Sequence, residues 1–148
     1  MSPRVPIAYV DIRVSVHATE DPDRVITAIH NMIPPELAEK VDFKKTNTKG
    51  HYNNPITLLE TRIKEKDVAG AVFKKIATGL TSPDRELLKR EIERHLDKRN
   101  LFIRLDKQSA YLDEIRLCST DPIHVKIQFR VRGKEAITKI CREFGMFP

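Results

Sequence analysis

IAYVDIRVSVH, residues 7–17, decides the fold, because it alternates without a break. Ala8, Val10, Ile12, Val14 and Val16 fall on one side, and Tyr9, Asp11, Arg13, Ser15 and His17 on the other. Side chains of a β-strand point to opposite faces with period two, so one face enters a core and the other meets water. A strand covered on both faces would read as a continuous apolar run. The sheet built on this strand is therefore layered on one side only.

Working outward, the chain next reads Thr-Glu-Asp-Pro. Asp21 is a good N-cap and Pro22 a good first helical residue. Val25, Ala28, Ile29, Met32 and Ile33 then form the apolar stripe of a helix over 21–33, which Pro34-Pro35 ends. Val41 to Lys45 reads as a short strand with Val41 and Phe43 inward, and the polar stretch Thr46 to Asn54 as a loop. Thr57 to Lys64 is the next expected strand. A helix over 67–78 buries Val68, Ala69, Val72, Phe73 and Ile76, with Gly79 closing it. Ser82-Pro83 opens another helix, carrying Leu87, Leu88, Ile92 and Leu96.

Leu101 to Asp106 alternates as a strand, Lys107 to Asp113 is ambiguous with a helical turn as one reading, and Glu114 to Cys118 reads as a short strand. His124 to Arg132 alternates strictly, with Val125, Ile127, Phe129 and Val131 inward. Gly133 separates it from a last helix over 134–144, lined by Ala136, Ile137, Ile140, Cys141 and Phe144. This order predicts an α+β fold, a mostly antiparallel sheet with helices packed on one face. No linker or repeat divides the 148 residues, so residues 1–148 read as one domain.

Lys and Arg number 27 against 21 Asp and Glu, a formal net charge of +6, which suits an anionic partner. No apolar run approaches the roughly 20 residues of a membrane helix, and no signal segment opens the chain. Cys118 and Cys141 make no disulfide framework. Together these points imply a reduced, cytoplasmic setting.

The polar face of the predicted strands concentrates the charge. Arg13, Lys44, Arg62, Lys64, Arg104, Arg116, Lys126, Arg130 and Arg132 stand against Asp11, Asp42, Glu60, Asp106 and Glu114, nine bases to five acids. In the last strand His124, Lys126, Gln128, Arg130 and Arg132 project from one side with no acid among them. Cations spaced ~7 Å along a strand can follow a phosphate backbone. Tyr9 and Phe102, on the same face, offer stacking surfaces for unpaired bases. The competing reading is a solvated outer face with no ligand.

Two local constellations add polar donors. Lys49-Gly-His51-Tyr52-Asn-Asn54-Pro-Ile combines turn residues with side chains suited to phosphate or base contacts. Asp106-Lys107-Gln108-Ser-Ala-Tyr111 puts a cation and an amide beside small residues. Each reads equally well as a structural connection. His17, His30, His51, His95 and His124 are scattered, and neither cysteine lies in a Cys-x-x-Cys motif. With no phosphate loop, dinucleotide fingerprint or nucleophile elbow either, neither a metal site, a cofactor nor catalysis is expected.

VSVHATEDPDRV (14–25), HYNNPI (51–56) and IRLDKQSAYLDEIRL (103–117) together resemble an archaeal RNA-binding family described as a predicted exosome subunit. The resemblance runs from Val14 to the end of the last strand. It implies a sandwich similar to the ribosomal large-subunit protein L-five and RNA as the ligand. Partners within an RNA-processing complex also follow from it, and a protein adaptor without direct RNA recognition is the alternative. The matching positions are His17, Thr19 and Glu20; His51, Tyr52, Asn54 and Pro55; and Asp106, Lys107, Gln108, Ala110 and Tyr111. Asp113 departs from the pattern, standing where the family usually has glycine. Charge and resemblance together nominate Arg13, His17, Lys49, His51, Tyr52, Asn54, Arg104, Lys107, Gln108, Lys126, Arg130 and Arg132 as RNA contacts.

Overall fold

The computed structural model describes residues 6–49 and 54–148. Its elements run β1 (Ile7–His17), α1 (Pro22–His30), a 3-10 turn (Pro35–Lys40), β2 (Lys44–Lys49), β3 (Pro55–Ile63), α2 (Lys66–Gly79), α3 (Ser82–Arg90) and α4 (Ile92–His95). Then follow β4 (Leu96–Asp97), β5 (Asn100–Leu105), α5 (Lys107–Tyr111), β6 (Ile123–Phe129) and α6 (Lys134–Glu143). The six strands form one sheet in the order β2-β3-β1-β6-β5-β4, every pair antiparallel. The α+β class holds. No described helix is long and apolar enough to cross a membrane.

The inner face carries Val10, Ile12, Val14 and Val16 of β1, Leu59 and Ile63 of β3, and Ile103, Val125 and Ile127 of β5 and β6, all buried. Against it lie all five residues of the α2 stripe, with Phe73 edge-on to Phe129 at 5.6 Å between ring centres. Phe144, just past α6, reaches the same Phe73 at 5.0 Å. Asp21 caps α1 by accepting the Asp23 N–H at 3.0 Å.

Several boundaries differ from the expectation. A bulge in the β1–β6 pairing between Ile7 and Tyr9 shifts the pleat, so Ile7 rather than Ala8 is fully buried. Strand β2 begins at Lys44 and runs through Lys49, where a loop was expected. All six of its residues are exposed, so β2 is held by pairing with β3, and hydropathy carries no trace of it. Val41 and Phe43 do pack inward, but as a connection after the 3-10 turn. Helix α1 stops at His30, and Met32 and Ile33 reach the core from the turn that follows.

Residues 114–118 give only isolated bridges, Leu80 to Ile115 and Leu105 to Leu117. The Asp84 carboxylate accepts the Leu117 N–H at 2.9 Å, so the segment's hydrogen bonds go to separate partners and no ladder forms. Gly79 belongs to α2 and is needed for space, since a Cβ there would sit 2.8 Å from Ile115 Cγ1. The cap of α3 is Thr81, one residue before the expected Ser82. Strand β6 ends at Phe129, where both of its neighbours run out, so Val131 is 38% exposed and not inward.

Candidate nucleic-acid interface

Register determines which cations share the outer face. Pairing of β1 with β6 and β6 with β5 puts Arg13, His124 and Arg104 in one row across three adjacent strands. The next row reads Arg62, Asp11, Lys126 and Phe102 from β3 to β5. Beyond it lie Tyr9, Gln128 and Asn100. A shallow depression of about 1100 Å³ covers the first two rows, with Arg94 of α4 and Phe43 at its sides.

The two rows differ in electrostatics. Asp11 accepts a forked pair of hydrogen bonds from Arg62, at 2.7 and 2.9 Å, and lies 3.5 Å from Lys126. The Arg62 guanidinium stacks 4.1 Å from the Tyr9 ring centre, with the Lys126 ammonium at 5.3 Å. The acid-free row read along β6 is thus met by an acid from β1. Tyr9 is covered by Arg62, so the stacking surface expected there is already occupied.

The same row continues onto β3, where Glu60 stands opposite Arg13 and lines the depression, yet among the described residues neither Arg13 nor Arg104 forms an ion pair. Burial, then the charges of Arg13 and Arg104, push the His124 pKa below the ordinary histidine value, with only Asp121 opposing. A neutral imidazole between two guanidiniums adds no charge of its own to theirs. Phe102 is 40% exposed, and its carbonyl is held by a 3.0 Å hydrogen bond with His95 Nδ1.

The motifs around His17 and Lys107 meet in space. Lys107 is 13% exposed and donates to the Ser15 carbonyl at 2.6 Å, Glu20 Oε1 at 3.0 Å and Asp121 Oδ2 at 2.8 Å. His17 Nε2 lies 3.1 Å from the same Asp121 oxygen, and its backbone N–H donates to Glu20. Burial pushes the Asp121 carboxyl up, but hydrogen bonds from Lys107 and His17 outweigh it and leave the pKa below the usual value. His17, Glu20 and Asp121 are close enough to share a metal ion, a grouping the scattered histidines did not foretell. Here the Lys107 ammonium satisfies those oxygens instead. Asp121 carried no signal in the sequence, because its loop joins the others only through the fold. The third motif abuts the same corner, with Ile56 opposite His17 in the β1–β3 pairing.

The remaining nominated residues scatter. His51 and Tyr52 lie outside the described residues. Asn54 is exposed beside the β2–β3 hairpin, and pleat parity turns Lys49 toward the helix side of the sheet, away from Arg13. Gln108 is exposed on α5, beside a small cleft with Arg24 and Tyr111. Arg130 and Arg132 do not extend the β6 row: they fall in the bend beyond Phe129, where the Arg130 N–H donates to the Pro6 carbonyl at 2.8 Å. Arg94 was not foreseen, since it sits on a four-residue helix that reaches the depression only through the fold.

A family model described as RNA binding matches residues 9–129. The RNA-binding protein PAB1135 of Pyrococcus abyssi is 35% identical over 140 residues, covering 91% of both chains. The uncharacterized protein MJ0213 of Methanocaldococcus jannaschii is 34% identical, covering 92% of this chain and 97% of its own. Among solved structures, protein AF2318 from Archaeoglobus fulgidus superposes with a TM-score of 0.77 at 31% identity, covering 93% of this chain and 99% of that one. A match over most of the sheet, together with relatives sharing a third of their residues along nearly their whole length, places this chain in the RNA-binding family.

Proposed function

We propose that the chain binds RNA directly, through phosphate contacts on the outer face of its sheet. The observation that supports this most is the row of Arg13, His124 and Arg104, which forms no ion pair among the described residues although Glu60 adjoins it, beside a depression open to solvent. Phosphates neutralised by such cations release counterions, so affinity falls as salt rises. Lys126 joins the site at the cost of its contact with Asp11. Exposed Arg130 and Arg132, in the bend after β6, are within reach of a longer RNA, whereas Lys49 on the helix side of the sheet and Gln108 on α5 lie off this face.

On this reading the protein is a cytoplasmic, non-catalytic accessory of RNA processing associated with the exosome. The motif resemblance supports that role, as it does the likeness to the ribosomal L-five fold. Of the acid–base groups that meet, Glu20 and Asp121 are ion-paired to Lys107 and His17 to Asp121, which supports a structural role for the cluster. Ribonuclease activity that survives repurification and disappears in His17→Ala would overturn the non-catalytic reading.

The deciding experiment is a fluorescence titration of labelled RNA at several salt concentrations. Replacing Arg13 and Arg104 together by Ala is expected to weaken binding at least tenfold and to lower the salt slope by about 1.4, near 0.7 per lost contact on single strands. An unchanged slope rejects this face. Strand β2 favours a second reading, because it ends the sheet and no other described strand pairs with its outer edge, where a protein strand can add. Exosome components retained by the protein after RNase treatment, with no RNA bound at low salt, would select that adaptor role.

A further inference from the structure

We infer that the outer face takes unpaired RNA, stacking one base on Phe102 while Arg13 and Arg104 hold the flanking phosphates. The inference rests on the proposal that this face binds RNA, and adds which form of RNA it selects and how.

Phe102 is the one aromatic residue among the large hydrophobic side chains left exposed in the described residues. An apolar ring in the middle of a strand normally turns inward, yet Ile103 and Leu101 take the core positions and Phe102 faces solvent. Its backbone is fixed: Lys126 stands opposite it on β6, Arg104 follows two residues along the same face, and His95 bonds its carbonyl. A phenyl ring on a paired strand has few torsions to lose on stacking, and a base presents a π-face whatever its sequence. Tyr9 cannot do the same, because Arg62 already lies on it.

Shape argues for a single strand. Arg13 and Arg104 stand two strands apart, roughly 10 Å, and both rim the depression that holds Phe102. An A-form duplex keeps its bases stacked inside and presents phosphates, 2′-hydroxyls and groove edges, so it has no unpaired base to lay on the Phe102 ring. An unpaired strand can turn a base down onto Phe102 while its backbone passes between the two arginines. The neutral His124 between them supplies a hydrogen bond without adding to the charge.

The test compares Phe102→Ala and Phe102→Tyr against the wild type. The probes are a short labelled oligouridylate, the same oligomer lacking its central bases, and a hairpin duplex of equal charge. The expected result is at least tenfold preference for the unpaired oligomer over the duplex. Phe102→Ala should weaken the oligouridylate by about 5- to 150-fold with an unchanged salt slope, Phe102→Tyr should retain binding, and the base-lacking probe should not distinguish the three proteins. Thermal melts verify that both variants fold. Salt-sensitive binding that is lost on changing Arg13 and Arg104 but indifferent to Phe102→Ala overturns the stacking while leaving RNA binding in place. Equal affinity for duplex and single strand overturns the selection of unpaired RNA. Failure of every probe to bind at low salt overturns the RNA reading itself, and this inference with it.

Discussion

Lys107 and Arg13 are both cations near β1, and the structure uses them in opposite ways. Lys107 is almost wholly enclosed and spends its donors on Ser15, Glu20 and Asp121. Arg13 stands exposed beside Arg104 and His124, with Glu60 opposite it on β3 but no ion pair formed among the described residues. Counted in the sequence, each is one positive charge. In the fold, one holds together the start of α5, the end of β1 and the loop before β6, while the other forms no ion pair among the described residues. Net charge therefore overstates what is available to RNA, and pairing across strands determines how much remains.

The contrast breaks most visibly at Lys107. Lys107→Met keeps much of the side-chain stem but leaves Glu20 and Asp121 with only the His17 imidazole beside them. A cost of about 2–4 kcal/mol is expected, a fall of roughly 10 °C in Tm by calorimetry. Arg13→Ala should shift stability by no more than about 0.5 kcal/mol, because the exposed guanidinium forms no ion pair among the described residues and loses only a solvated cross-strand neighbour, Glu60. Equal effects from both would show that the two cations do the same job.

Between these extremes lies Asp11, which occupies the paired half of the outer face. Asp11→Asn removes the charge that neutralises Arg62 and Lys126. RNA binding should tighten by about threefold, and the salt slope should steepen by up to about 0.7 for each cation released. Weaker binding by this variant would mean that Asp11 positions the cations, and that pairing is part of the site.

His124 sharpens the comparison through pH. Its folded pKa lies below the ordinary histidine value, through burial and then Arg13 and Arg104. Between that depressed value and the unfolded one, near 6.5, the unfolded chain holds more protons. Stability from this group is therefore present above about pH 6.5 and is lost as pH falls through the folded pKa. Bound phosphate reverses the sign, since it favours the imidazolium, so RNA affinity should rise on going from pH 7.5 to 6. In His124→Asn both trends should flatten, in melts and in titrations alike. A wild-type affinity that is flat over this range would remove phosphate from the neighbourhood of His124.

The smallest effect is expected at Asp113, where the family pattern has glycine. The backbone keeps the turn, with Asp113 at φ +60°, and the side chain gains an ion pair with Lys75 at 3.0 Å. Asp113→Gly relieves about 1 kcal/mol of left-handed strain and gives up an exposed pair worth less than that. Denaturant titration should show a gain of about 0.5 kcal/mol. A loss would mean that the Lys75 contact outweighs the turn.

By itself, the sequence determined the α+β class, the inner face of β1, the α2 stripe and the Asp21 cap. Each of these follows from residues close together in the chain, where alternation, helical spacing and cap chemistry act locally. It also placed Arg13, Arg104, Lys126 and Phe102 on one face, since pleat parity is local too. Only the tertiary structure decided which of those charges are free. Asp11 reaches Lys126 because β1 and β6 pair, Asp121 reaches Lys107 and His17 because a late loop folds back, and Arg94 reaches the depression because α4 leads into the sheet edge. The all-polar β2 was hidden for the same reason: its place comes from hydrogen bonds to β3, and a backbone ladder leaves no mark in the hydropathy of the strand that joins it.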